Sequence, residues 1–154
     1  MKTTTTSMLA ATIILAGLLA PCDLCSANDT AATIPALQGV WSGARFDSGT
    51  GDDPARGVQL TLTFADGKVT ARRVPDGDIG TGEFTLSADG KTIDAVGVSK
   101  NYKGNLYQGI LKIEGDTLYW CTTAGGGKTQ QRPAEFAADP AKHNYLIVVK
   151  RQKP

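Results

Sequence analysis

The chain contains one histidine, His143, and three cysteines, Cys22, Cys25 and Cys121. A three-histidine zinc site is therefore impossible, and Cys121, remote from the other two, cannot build a thiolate cluster alone. A nucleophile–base pair would have to join Cys121 to His143, because a thiol is activated by an adjacent base. Cys121 lies in the run Leu118-Tyr119-Trp120-Cys121, where a small, buried, inert thiol is the common outcome. His143 stands beside Asn144 at the start of an apolar run and reads as a solvated turn residue. Asp47, Asp52 and Asp53 share a glycine-rich stretch, and calcium prefers oxygen ligands on such loops. Gly49 stands where a second ligand is expected, so a solvated connection is the simpler reading. Asp76 and Asp78, in the turn Pro75-Asp76-Gly77-Asp78, read the same way. Gly127-Lys128-Thr129 has the ending of a phosphate-binding loop, but Thr122 occupies the place of its first glycine and no helix start follows. The expectation is of no catalytic residue, no metal ligand and no cofactor.

The elements that would carry such chemistry are strands. Val58-Gln59-Leu60-Thr61-Leu62-Thr63-Phe64 alternates apolar and polar residues without a break, which puts Val58, Leu60, Leu62 and Phe64 on one buried face. Residues 37–46, 68–74, 82–87, 92–98, 106–114, 117–122 and 144–151 are seven further short runs of strand character. Asp66-Gly67 and Asp89-Gly90 separate consecutive runs and supply the positive φ of tight hairpins, as does Glu114-Gly115-Asp116. No long 3.6-residue apolar period exists, and residues 133–142 offer room for a helical turn or two. Eight short antiparallel strands joined by tight turns predict an all-β, up-and-down barrel of the lipocalin-like kind, since closure removes exposed edges. A two-sheet β-sandwich is the alternative. An eight-stranded barrel has an interior just wide enough for packed side chains or one small ligand. Leu60, Leu62, Phe64, Phe84, Leu111 and Trp120 are the expected lining.

Closure makes a further expectation about the first and last strands, which become neighbours. Gly39-Val40-Trp41 opens the first and Lys150-Arg151 ends the last. Gly39, Trp41 and Arg151 are therefore candidates for a structural seam, with a guanidinium over an indole contributing about 0.5–2 kcal/mol. The other reading packs Trp41 in the core without a cation.

The N-terminal residues read as a targeting segment. Lys2 precedes the apolar run Met8 to Ala20, which is shorter than the roughly 20 residues a spanning helix needs. Cys25-Ser26-Ala27 places small residues where a leader protease cuts, so residues 1–27 are expected to be a signal peptide and 28–36 a short tether ahead of one domain, 37–154. A lipid anchor at Cys22 is the rival, with Pro21 in the place of the usual small residue. Cys22 and Cys25 would leave with the leader, so Cys121 would have no internal disulfide partner. With 16 basic and 15 acidic residues, the chain has no charge excess suited to nucleic acid or an anionic membrane.

Leu37-Gln38-Gly39-Val40-Trp41, the segments Tyr107 to Leu118 and Arg132-Pro133-Ala134-Glu135-Phe136, and the ending Leu146 to Arg151 together resemble an exported, uncharacterised domain family of planctomycete-type bacteria. The resemblance covers Leu37 to Pro154 and extends to the placing of Cys121. That family is lipocalin-like, and Gly39-x-Trp41 with a late Arg151 is similar to the lipocalin pattern; Gly115-Asp116-Thr117 stands where the lipocalin Thr-Asp-Tyr element would be. The resemblance implies a fold and export but no catalytic residue. The expected function is a non-catalytic, periplasmic or extracellular binding module. Its partner would be a small apolar or amphipathic ligand or another exported protein, with no nucleic acid and no stable membrane insertion. A filled-core structural or interaction domain, and then an enzyme of unknown type, are the alternatives.

Overall fold

A computed structural model describes residues 35–125 and 131–153. The expected signal peptide, the rival anchor at Cys22, most of the expected tether and Gly127-Lys128-Thr129 lie outside the described residues. Eight strands follow in order: β1 (Gly39–Phe46), β2 (Val58–Ala65), β3 (Lys68–Arg73), β4 (Gly77–Leu86), β5 (Thr92–Gly97), β6 (Leu106–Glu114), β7 (Thr117–Thr123) and β8 (Asn144–Arg151). Each pairs antiparallel with its neighbour in sequence, and β1 pairs with β8, closing one barrel. The two-sheet alternative is thereby excluded.

Alternation explains why the strands close this way round. On β2 the inward Leu60, Leu62 and Phe64 are buried, while Gln59, Thr61 and Thr63 stand on the other face. The same parity sends Leu118 and Trp120 of β7, and Ile147 and Val149 of β8, into one continuous core with Trp41, Ile93 and Leu111. Phe64 meets Phe84 edge-on with ring centres 5.5 Å apart, and Trp120 at 6.2 Å; such pairs add about 0.5–1.5 kcal/mol each beyond burial. Apolar inside and mostly polar outside is the reverse of a membrane-spanning barrel, whose outer band is apolar.

The outer wall has one apolar patch of its own. Ala44, Phe46, Cys121 and Leu146 face outward and are covered by Ala138 of the connection between β7 and β8, with Phe136 alongside. That connection runs across the outside as a strap. It is pinned by a two-way bridge between Gly49 and Ala138. Arg132 pins it again by donating to the carbonyls of Gly109 (2.7 Å) and Ile93 (3.2 Å) and pairing with Asp94 (2.6 Å). The only helical piece in the stretch predicted to allow a turn or two is a single 3-10 turn, Pro140–Lys142.

The largest boundary difference from expectation is at the start of β4; other strand ends differ by one or two residues. β4 begins at Gly77 rather than Gly82, because Gly77 to Thr81 pairs with β3 through a register shift between Ala71 and Arg72. A bulge lets a glycine-rich segment stay in the sheet without alternation.

Candidate functional site

The barrel has two unlike ends. The base carries the short turns at residues 66–67, 87–91 and 115–116; the mouth carries the connections 47–57, 74–76, 98–105 and 124–143.

The base is plugged. Leu37 and Trp41 are fully buried, and the Trp41 indole Nε1 donates to the Leu37 carbonyl at 2.9 Å. Trp41 and Arg151 are register partners, and the guanidinium carbon lies 4.1 Å from the indole ring centre. Arg151 also donates to the carbonyls of Gln38 (2.6 Å) and Ala36. Gly39 has φ +117°, and a Cβ there would lie 3.3 Å from Arg151 Nη1. A side chain at Gly39 would be strained and would crowd the cation, so Gly39, Trp41 and Arg151 form one joint. Lys150 is exposed on the opposite face of β8 and takes no part.

The mouth is not filled. It holds an apolar cavity of about 110 Å3. Leu60, Leu62, Trp120 and Ile147 line its walls; Gly80, Gly82, Gly97, Ala71 and Ala95 contribute little bulk to it. Of the lining residues expected from sequence, Leu60, Leu62 and Trp120 are there. Phe64, Phe84 and Leu111 belong to the same barrel core but lie outside the cavity wall. Tyr102 is brought to the rim by a 3-10 turn, Lys100–Tyr102, whose backbone lies so close to β5 that a Cβ at Gly97 would sit 1.9 Å from the Tyr102 carbonyl. Tyr107 and Tyr145 complete the rim. Burial pushes both phenols above their usual range, Tyr145 further, so both stay protonated near neutrality and can donate.

Arg45 is the cation of this site. It shares the inward parity of Trp41 and Gly43, lies 5.1 Å over the Tyr145 ring, and lines both the cavity and a polar recess formed by residues 46–58. Asp47 lies 3.2 Å from its Nε, out of hydrogen-bond alignment, and accepts from Nη2 at 3.4 Å. The arginine side chain is 26 % exposed and its aspartate partner 65 %. Trp120 Nε1 is buried with no hydrogen-bond partner among the described residues. Sequence reasoning placed none of Arg45, Tyr102, Tyr107 or Tyr145 here. Period two counted forward from Trp41 would have turned Arg45 inward, and counted back from Arg151 would have done the same for Tyr145.

The remaining candidates lie elsewhere. Cys121 is fully buried under the outer strap, its thiol donating to the Ala137 carbonyl, and burial pushes it up to about 11. His143 is exposed, in left-handed backbone at the end of its 3-10 turn. The acidic loop residues are engaged locally: Asp53 caps the 3-10 turn Pro54–Arg56, Asp52 accepts from Thr50, and Asp47 pairs with Arg45. Asp76 and Asp78 lie in exposed ion pairs with Arg73 and Arg72. Comparison with protein-family models, curated proteins and solved structures finds no match to the chain.

Proposed function

We propose that this chain is an exported, non-catalytic binding module whose barrel mouth takes the apolar part of a small amphipathic ligand. The observation that carries the reading is the contrast within one barrel: a base packed solid and a mouth left open over an apolar cavity. Pockets of this kind combine apolar walls with a few placed polar groups, here the three tyrosines and Arg45 at the rim. A volume of about 110 Å3 is below the ~150 Å3 that admits benzene. The buried group is therefore a short alkyl chain, with the polar end of the ligand at the mouth. The non-catalytic part is supported by the position of Cys121 on the outer wall and of His143 at the surface, both away from the cavity. The export part rests on Lys2, the apolar run and Cys25-Ser26-Ala27, and on the family resemblance.

Titration with isoamyl alcohol, followed by the two indole N–H signals in NMR, tests the pocket. The Trp120 signal is expected to move saturably while Trp41 stays still. A Trp120 signal that does not move would favour a solid-cored interaction domain, the reading that the small volume otherwise recommends. Intact mass of the secreted protein tests export: the first residue is expected to be Asn28, and a diacylglycerol-modified Cys22 would make the chain a lipoprotein instead.

A further inference from the structure

We propose that the ligand is a small organic anion, a carboxylate on a short branched alkyl chain, with the carboxylate held by Arg45; this rests on the pocket reading above. A guanidinium at the neck of an apolar cavity has lost much of its water, and that loss must be offset by a counter-charge. Asp47 offsets it incompletely. Its carboxylate is largely solvent-exposed, and only one of its two contacts has hydrogen-bond alignment. A guanidinium carries five N–H donors, so donors remain for a second oxyanion approaching from the cavity side.

The other polar groups at the cavity point to the same charge sign. Trp120 is buried and its ring lines the cavity; its indole Nε1 lies over Gly109 of β6 and has no partner among the described residues. An indole N–H can only donate. The phenols of Tyr107 and Tyr145 are protonated and can donate too. Among the described residues the cavity lining includes no aspartate or glutamate. Donors and one cation around an apolar hollow complement a carboxylate with an alkyl tail, and they disfavour an ammonium of the same shape. Arg45 also borders the polar recess at residues 46–58, so its side chain can turn from Asp47 toward a ligand without leaving the neck. Asp47 is then a competitor that the ligand displaces.

Three ligands of one shape separate the possibilities at neutral pH: isovalerate, isovaleramide and isoamylamine, each titrated into the secreted protein with the Trp120 indole signal as the reporter. Isovalerate is expected to bind at least tenfold more tightly than the amide, and the amine weakest of the three. Asp47→Asn is expected to tighten isovalerate severalfold and leave the amide where it was, because it removes the competitor only. Arg45→Met is expected to bring isovalerate down to the amide's level. Equal binding of acid and amide to the unsubstituted protein would overturn the anion inference and leave the pocket standing. Silence at Trp120 with all three would overturn both. Should Arg45→Met fail to fold, Asp47→Asn decides alone: affinity for isovalerate that is unchanged or weaker means that Arg45 does not take the ligand's charge.

Discussion

At the base of the barrel, Leu37 and Trp41 fill the axis, and Trp41 Nε1 and both terminal nitrogens of Arg151 have backbone partners. At the mouth, Leu60, Leu62 and Trp120 wall an apolar cavity; Trp120 Nε1 has no hydrogen-bond partner among the described residues, and Arg45 has one aligned hydrogen bond, to the exposed Asp47. Both ends use an indole and a guanidinium. What differs is whether the chain itself completes them. At the base it does, and the groups hold the barrel shut. At the mouth it does so only in part: Arg45 Nη2 donates to the exposed Asp47, and the Trp120 indole N–H has no partner among the described residues.

Four experiments sharpen or break that contrast. The largest effect is expected at the base. Trp41→Ala removes a fully buried ring and should destabilise the domain by about 3–5 kcal/mol, read by urea denaturation. Against a typical stability of about 5–15 kcal/mol that is close to unfolding, and a loss under 1 kcal/mol would mean that the base is not a packed plug. Next comes the rim. Gly97→Ala places a Cβ 1.9 Å from the Tyr102 carbonyl, so residues 98–105 must shift. Overpacking of this kind costs about 1–3 kcal/mol, and the rim position of Tyr102 would change with it. A variant as stable as its parent would show that the rim tyrosine is not seated on that glycine.

The third effect is smaller. A double-mutant cycle on Trp41 and Arg151 is expected to give a coupling of at least about 0.5 kcal/mol. Zero coupling would leave the plug and remove the cation from it. The smallest effect is expected from Tyr145→Phe, within about 0.5 kcal/mol at neutral pH, because no hydrogen bond of the Tyr145 hydroxyl occurs among the described residues. The pH dependence is more telling. Burial raises the folded-state phenol above its ordinary value, so the folded chain keeps a proton that the unfolded chain releases. The associated stability is intact below pH ~10 and is lost as the pH rises further. Cys121, pushed up to about 11 by burial, causes a similar loss beginning near pH ~8.5. Phe at position 145 should therefore resist alkaline denaturation above pH ~10 better than the parent. Equal alkaline sensitivity would mean that this phenol is solvated and the mouth is wetter than drawn.

What could be read from sequence follows the same division. The strands were legible where alternation was strict, as in β2, and the hairpins where Asp66-Gly67 and Gly115 demanded positive φ. The start of β4 was not, because Gly77-Asp78-Ile79-Gly80-Thr81 has no alternation and is kept in the sheet by a bulge at Ile79, opposite Ala71 and Arg72 of β3. The base seam was legible because closure forces the first and last strands together. The strap over Cys121 was not, since Phe136 and Ala138 gain their apolar surroundings only from residues far away in sequence. Three of the six residues expected to line the barrel, Leu60, Leu62 and Trp120, lie in the cavity wall. Its decisive residue, Arg45, was passed over, because a charged residue in a strand is ordinarily assigned to the solvent face. The cavity wall includes the small residues Ala71, Gly80, Gly82 and Ala95, and absent bulk leaves no apolar pattern to count.

Both limits of the described barrel, Pro35 and Lys153, lie at the base: Arg151 reaches back to the Ala36 carbonyl, and Lys153 pairs with Asp116 in the turn between β6 and β7. A strand of eight residues at about 3.3 Å each, tilted as barrels require, sets the mouth roughly 20 Å away from both. An affinity tag, a sensor-chip linkage or a fusion partner joined at either end would therefore hang from the floor of the barrel. The opening, Arg45 included, would lie at the far end from the attachment.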